Sequence, residues 1–205
     1  MRTKTKALAL ALCAVLLVVT TVFVTMAYLT STTDVVTNTF TVGKVTITLD
    51  EADVKSDGTY ESDVNARVDA NTYKLIPGHT YIKDPTIHVA DDSEECWLFV
   101  KVENGLEDII DAKTIEDQMN DNGWSSVAGE TNIYAYEKIA TAKTGDYKVF
   151  DNFKLKDDAD VSSYATADNE DSVINVTAYA IQADGFATAA AAWAEAPSDW
   201  ETPAN

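Results

Sequence analysis

The run Cys96-Trp97-Leu98-Phe99-Val100 is apolar at every position, which constrains this chain more than any other feature. Successive side chains of a strand point to opposite faces, so a strand apolar throughout needs cover on both sides. Cys96 to Glu103 is therefore read as a central strand, ended by Asn104-Gly105. Val173 to Ile181 alternates Ile174, Val176, Ala178 and Ala180 against Val173, Tyr179 and Ile181, and is the second clear strand.

The remaining pattern is of short strands separated by turn residues. Phe40 and Val42 alternate, Gly43-Lys44 interrupts, and Val45, Ile47 and Leu49 alternate with threonines. Asp50 to Ala70 is polar and acidic, with Ser56-Asp57-Gly58 as a turn, and is read as a loop. Pro77-Gly78 signals a type II turn before a strand over Thr80 to Ala90, in which Pro85 implies an edge or a bulge. Leu106, Ile109, Ile110, Ile115 and Met119 fall at helical spacing, so a helix is expected over Leu106 to Met119. Trp124 to Ala128, Ile133 to Ile139 and Tyr147 to Leu155 read as strands. Lys156 to Asp171 reads as a loop, and Phe186 to Ala194 as a short Ala-rich helix.

No βαβ rhythm is present, and the sequence predicts an all-β fold. The expected form is an antiparallel, jelly-roll-like β-sandwich over residues 39–194 with one or two inserted short helices. Its predicted core is Phe40, Val45, Ile47, Leu49, Ile87, Leu98, Val100, Val102, Ile174, Val176 and Ala178. Residues 195–205 are expected to be a flexible tail.

The N-terminus reads as a targeting segment. Arg2, Lys4 and Lys6 precede an uncharged apolar stretch from Ala7 to Met26, and Thr25-Met26-Ala27 is an acceptable signal-peptidase site. Residues 1–27 are thus a signal peptide with cleavage between Ala27 and Tyr28. The competing reading is an uncleaved signal anchor, because the stretch is close to the ~20 residues that span a bilayer. Residues 28–38, rich in Thr and Ser, read as an extended segment.

With 34 acidic against 15 basic residues the formal net charge is −19. That excludes nucleic acid as a partner, since phosphate backbones need basic patches. It also disfavours an anionic membrane surface, leaving membrane contact to the signal segment. Two cysteines exclude a disulfide framework, and Cys96 within its apolar run reads as a core thiol, with an intermolecular disulfide as the other reading.

No catalytic constellation is found. His79 and His88 are not at zinc-site spacing, and there is no G-x-S-x-G elbow or phosphate-cradling glycine loop. Asp50-Glu51-Asp53, Asp91-Asp92-Glu94-Glu95, Asp117-Asp121, Asp157-Asp158-Asp160 and Asp168-Glu170-Asp171 are read as solvated loops. Weak calcium binding in one of them is the alternative, although none has the D-x-D-x-D-G pattern. Trp97, Trp124, Trp193 and Trp200 form no stripe, and core packing is expected for the first three.

Several motifs together resemble the TasA/camelysin family of exported Gram-positive proteins. They are Thr25-Met26-Ala27 followed by Tyr28-Leu29-Thr30-Ser31, then Asn38-Thr39-Phe40-Thr41-Val42-Gly43 and the Val45/Ile47/Leu49 strand. Leu75-Ile76-Pro77-Gly78 with Lys83-Asp84-Pro85, and Val176 to Trp193, extend the resemblance more loosely. It implies a SipW-type signal peptidase as partner during export, a jelly-roll fold and a secreted role at the cell surface or in the biofilm matrix. It also implies fibres in which each subunit lends an N-terminal strand to a neighbour. On that basis Tyr28 to Asn38 is the candidate donor strand, with Leu29, Val35 and Val36 as its apolar positions. The same segment could instead be a flexible lead-in or the first strand of its own sandwich. A camelysin-type metalloendopeptidase, for which the sequence has no zinc motif, and a monomeric surface binding module are the alternatives.

Overall fold

The computed structural model describes residues 44–111, 115–164, 173–197 and 200. The signal segment, the Ala27–Tyr28 site, Leu29, Val35, Val36 and Phe40 lie outside the described residues, as does the acidic group Asp168-Glu170-Asp171.

Ten strands are present among the described residues, all paired antiparallel: β1 Ile47–Ala52, β2 Arg67–Val68, β3 Thr80–Ile82, β4 Thr86–Val89, β5 Cys96–Asn104, β6 Trp124–Ser126, β7 Ile133–Tyr136, β8 Tyr147–Lys148, β9 Asn152–Lys154 and β10 Ile174–Gln182. They form two four-stranded sheets, β2-β1-β4-β8 and β10-β5-β7-β6, and a two-stranded ribbon, β3-β9. Two short α-helices are also described, α1 Ile115–Asp121 and α2 Ala189–Trp193, with 3-10 turns at Ala142–Thr144 and Ser162–Tyr164. The all-β expectation holds at this level.

β5 is central, as its composition requires. It pairs along its whole length with β10, from Ile174 opposite Asn104 to Gln182 opposite Cys96, and on its other side with β7. Cys96, Leu98, Val100 and Val102 face a core shared with Ile87 and Val89 of the other large sheet. Trp97 and Phe99 face the opposite way, against Ile133, Ala135 and α2 residues Ala192 and Trp193. Thr188 caps α2 by accepting from Ala191 N at 3.2 Å. Complete burial of Leu98 and Val100 contributes about 1.5–3 kcal/mol each.

Of the predicted core, Ile87, Leu98, Val100, Val102 and Ile174 are buried, and Val45, Ile47, Leu49, Val176 and Ala178 pack against the cluster partly buried. Trp97, Trp124 and Trp193 are buried as expected. Trp200, in the segment read as a tail, stacks on Tyr179 with ring centroids 4.7 Å apart.

The structure corrects several element boundaries. The strand expected over Thr80 to Ala90 is two, β3 and β4, and that over Tyr147 to Leu155 is also two, β8 and β9. Both break at the same level: β3 pairs β9 and β4 pairs β8. Pro85, which has no N–H to offer a ladder, sits at the break, and its carbonyl accepts from Val149 N at 2.8 Å. Of the helix expected over Leu106 to Met119, residues 106–110 form a turn and a bridge, and α1 accounts for Ile115 onward among the described residues. Asn104 Oδ1 accepts from Leu106 N, Leu106 O accepts from Ile109 N and Ile110 N at 3.0 Å to close a single turn, and Ile110 then bridges Leu155. The five apolar positions are buried nonetheless. Finally, the strand expected to end at Leu49 continues through Asp50 and Glu51 to Ala52, and β2 lies inside the stretch read as a loop.

The Ser56-Asp57-Gly58 turn is present, with Gly58 at φ +77 and its N–H bonded to Lys55 O. A Cβ there would lie 2.6 Å from Tyr81 Cδ1 and 2.8 Å from Tyr81 Cα. Gly58→Ala is therefore predicted to destabilise by about 2–3 kcal/mol, combining left-handed backbone strain with a clash against backbone. Urea unfolding of the two proteins measures the difference.

Candidate functional site

Asp50 and Glu51 are neighbours on β1, and a strand sends neighbours to opposite faces. The sequence reading placed both in a solvated loop. The structure places each in a separate charged cluster, because cations from distant segments meet them.

Asp50 belongs to a ladder of charge that crosses the first sheet in strand order. Arg67 of β2 donates from Nε to Asp50 Oδ1 at 2.7 Å. His88 of β4 meets the same oxygen through Nε2 at 3.0 Å and Asp146, just before β8, through Nδ1 at 2.7 Å. Arg67 also donates from Nη1 to Asp84 Oδ2 at 2.9 Å and from Nη2 to the carbonyls of Asp50 and Asp84. Asp84 in turn accepts from Ala52 N at 2.6 Å. The ladder thus ties β1 and β2 to the segment between β3 and β4.

Carboxylates only accept, so His88 serves both of its neighbours fully only as the imidazolium, with a proton on each nitrogen. Burial alone would lower its pKa, but the hydrogen bonds and charges of Asp50 and Asp146 outweigh burial and raise it above the usual value. Asp50 shifts the other way. Burial would raise it, and the bonds from His88 and Arg67 hold it below the ordinary carboxylate range.

Glu51 faces inward and is 4% exposed. Its Oε2 accepts from Lys83 Nζ at 2.5 Å and its Oε1 from Asn71 Nδ2 at 2.8 Å. Asn71 is fixed further: Nδ2 donates to Ala52 O at 2.8 Å, and Oδ1 accepts from Val54 N at 3.0 Å. Tyr73 lies beside this group, its hydroxyl donating to Ile82 O at 2.9 Å. Burial, followed by the charges of Glu51 and Asp84, raises the Tyr73 pKa. The group forms one wall of a cleft of about 890 Å³. The cleft runs between β1, residues 69–75 and the start of β10, with Leu49, Phe153 and Val176 also on its lining.

The two histidines have separate partners: His79 Nε2 lies 2.7 Å from Asp57 O, and its ring meets Tyr81 edge-on. Among the described residues no group of three or more His, Cys, Asp or Glu side chains is placed to hold a metal ion. Cys96 is fully buried, and burial pushes its thiol up to about 11, in keeping with a core thiol. Sequence reasoning missed Arg67, Lys83 and Asn71. One signal was available, since Arg67 is the only arginine besides Arg2. Among the described residues no helix is long and apolar enough to cross a membrane.

Arg67→Ala leaves Asp84, whose side chain is 11% exposed, without its cation, and is expected to cost on the order of 2–4 kcal/mol. Denaturant melts test this, and an effect under about 0.5 kcal/mol would rule out a stabilising ladder. The pH dependence follows from the two directions. The raised His88 pKa contributes stability that is full below its unfolded value, about 6.5, and is lost as pH rises through the folded value. The lowered Asp50 pKa contributes above about 3.8 and is lost as pH falls through its folded value. Wild type should therefore exceed His88→Gln in stability by about 1 kcal/mol near pH 5.5, and the gap should close toward alkaline pH. Melting midpoints of both proteins across that range provide the check. Compared with protein-family models, with curated proteins and with solved structures, the chain matches none.

Proposed function

We propose that this chain is an exported structural protein of the Gram-positive cell surface or biofilm matrix. In this reading it assembles into fibres by donor-strand exchange, with Tyr28 to Asn38 as the donor and a second copy as the partner. The observation that carries the proposal is the β10 edge. Among the described residues β10 pairs on one side only, with β5. It is nine residues long, INVTAYAIQ, with no charge and no proline. Proteins usually blunt such an edge with charge, proline or cover, and an extended segment from another copy is a natural cover. In so acidic a chain, an uncharged edge is also where two copies approach with least repulsion.

A further feature supports the reading. β1 pairs β4 along Ile47 to Asp50, while on its other side, among the described residues, it pairs β2 only at Glu51 and Ala52. Among the described residues the unpaired sides of β1 and β10 both border the cleft. Together they offer backbone donors and acceptors to an added strand, with apolar lining for Leu29, Val35 and Val36. The two four-stranded sheets are then the leaves of a jelly-roll-like sandwich completed by the donor. Export would follow the SipW-type signal, with cleavage between Ala27 and Tyr28 freeing the donor. The role is non-catalytic toward other molecules and calls for no cofactor, although acidic loops such as Asp91-Asp92 could take calcium weakly.

Electron microscopy of two secreted forms tests the assignment. The 28–205 form should give fibres, and a form starting at Thr39 should fold yet remain monomeric and bind added Tyr28–Asn38 peptide. Fibres formed as readily by the shorter protein would sink the donor assignment. Chelator-sensitive proteolysis by the purified protein would favour the camelysin-type alternative.

A further inference from the structure

The Glu51 cluster brings together more than an ion pair. One buried carboxylate holds a primary amine on one oxygen and a carboxamide on the other, Lys83 Nζ at 2.5 Å and Asn71 Nδ2 at 2.8 Å. The Lys83 side chain is 12% exposed and that of Glu51 5%, so little water competes. The Asn71 carbonyl oxygen already accepts a backbone N–H, from Val54 at 3.0 Å. A nucleophile and a carboxamide thus meet at the two oxygens of one proton-carrying carboxylate, and the carboxamide oxygen already has an N–H donor. A salt bridge needs only the first and third of these.

We propose that Lys83 and Asn71 become joined by an intramolecular amide bond that the protein forms itself, with Glu51 as the catalytic residue. Lys83 passes a proton to Glu51 and becomes a neutral amine. Its lone pair adds to Asn71 Cγ, making the Nζ–Cγ bond and moving the carbonyl electron pair onto Oδ1, where the Val54 N–H receives it. Glu51 then protonates Nδ2 and takes a proton from Nζ. The oxyanion collapses, the Cγ–Nδ2 bond breaks and ammonia leaves, carrying off the proton that Glu51 retains. The sum is an ammonium side chain plus a carboxamide giving a secondary amide plus an ammonium ion, with no oxidant and no co-reactant.

The bond would join residues 69–75 to the segment between β3 and β4, both on the cleft lining. It would replace a buried ion pair by a neutral link and close a covalent ring in the chain, which restricts the unfolded state. The proposal is independent of whether the protein forms fibres.

Mass spectrometry of the purified full chain decides it. Wild type should be lighter by about 17 Da, one ammonia, than its own sequence requires. The comparison with Lys83→Arg should show the same deficit beyond the substitution itself. Arginine keeps a cation for Glu51 and preserves the fold by circular dichroism, but offers no amine that condenses. Tryptic digestion of wild type should yield a branched species joining Val68–Lys74 to the peptide that begins at Leu75, with cleavage after Lys83 lost. Glu51→Gln, if folded, should form the link at least about tenfold more slowly. Three results would overturn the proposal: wild type at full mass with Val68–Lys74 released as a linear peptide; the ammonia loss mapped to Asn104-Gly105 or Asn122-Gly123, where it marks a succinimide; or the branched peptide formed by folded Glu51→Gln at the wild-type rate.

Discussion

Burial of β5 on both faces is the constraint around which the described structure is arranged. Leu98, Val100 and Val102 need one cover and Trp97 and Phe99 another. The first is supplied by the other four-stranded sheet, through Ile87 and Val89, and the second by α2 with Trp193. The nine-residue register with β10 carries the same division to its neighbour: Val176 and Ala178 share the inner face with Val102 and Val100, while Tyr179 and Ile181 join the outer cluster. A slip of one residue would turn both sets over together, so the register is strongly specified.

The polar groups do a different job. The stretch around Lys83-Asp84-Pro85 is where the β3–β9 ribbon gives way to the large sheet, and a break in a ladder leaves backbone groups without partners. Asp84 takes the Ala52 N–H, Arg67 takes the carbonyls of Asp50 and Asp84, and Tyr73 takes that of Ile82. Asn71 meets Ala52 O and Val54 N. The charged clusters therefore coincide with the break because the break creates the demand they meet. The same polar groups line the cleft, which among the described residues also borders the unpaired sides of β1 and β10.

Strand and helix signals were legible where they rested on local pattern. Alternation over Val173 to Ile181 and the solid apolar run from Cys96 identified β10 and β5, and Ala-rich sequence after Gly185 identified α2. The helix at Leu106 was overextended because Leu106, Ile109 and Ile110 have helical spacing, yet Ile110 instead bridges Leu155. Spacing reports which side chains share a face, and a turn followed by a bridge can bury the same set. Asp50-Glu51 was read as a loop because local composition cannot reveal that Arg67, His88 and Lys83 will arrive beside it.

The sequence by itself determined the all-β class, the central strand, most of the core and the strongly acidic balance, since each is a property of residues near one another in the chain. Only the tertiary structure decided where the two long strand patterns break. It also decided that adjacent carboxylates of β1 serve opposite faces, and that an amine and a carboxamide meet at the buried Glu51 carboxylate. The partners of Glu51 lie 20 and 32 residues away along the chain. Their meeting depends on sheet register and on the strand break at Pro85, which are settled by long-range packing and which no local window of sequence contains.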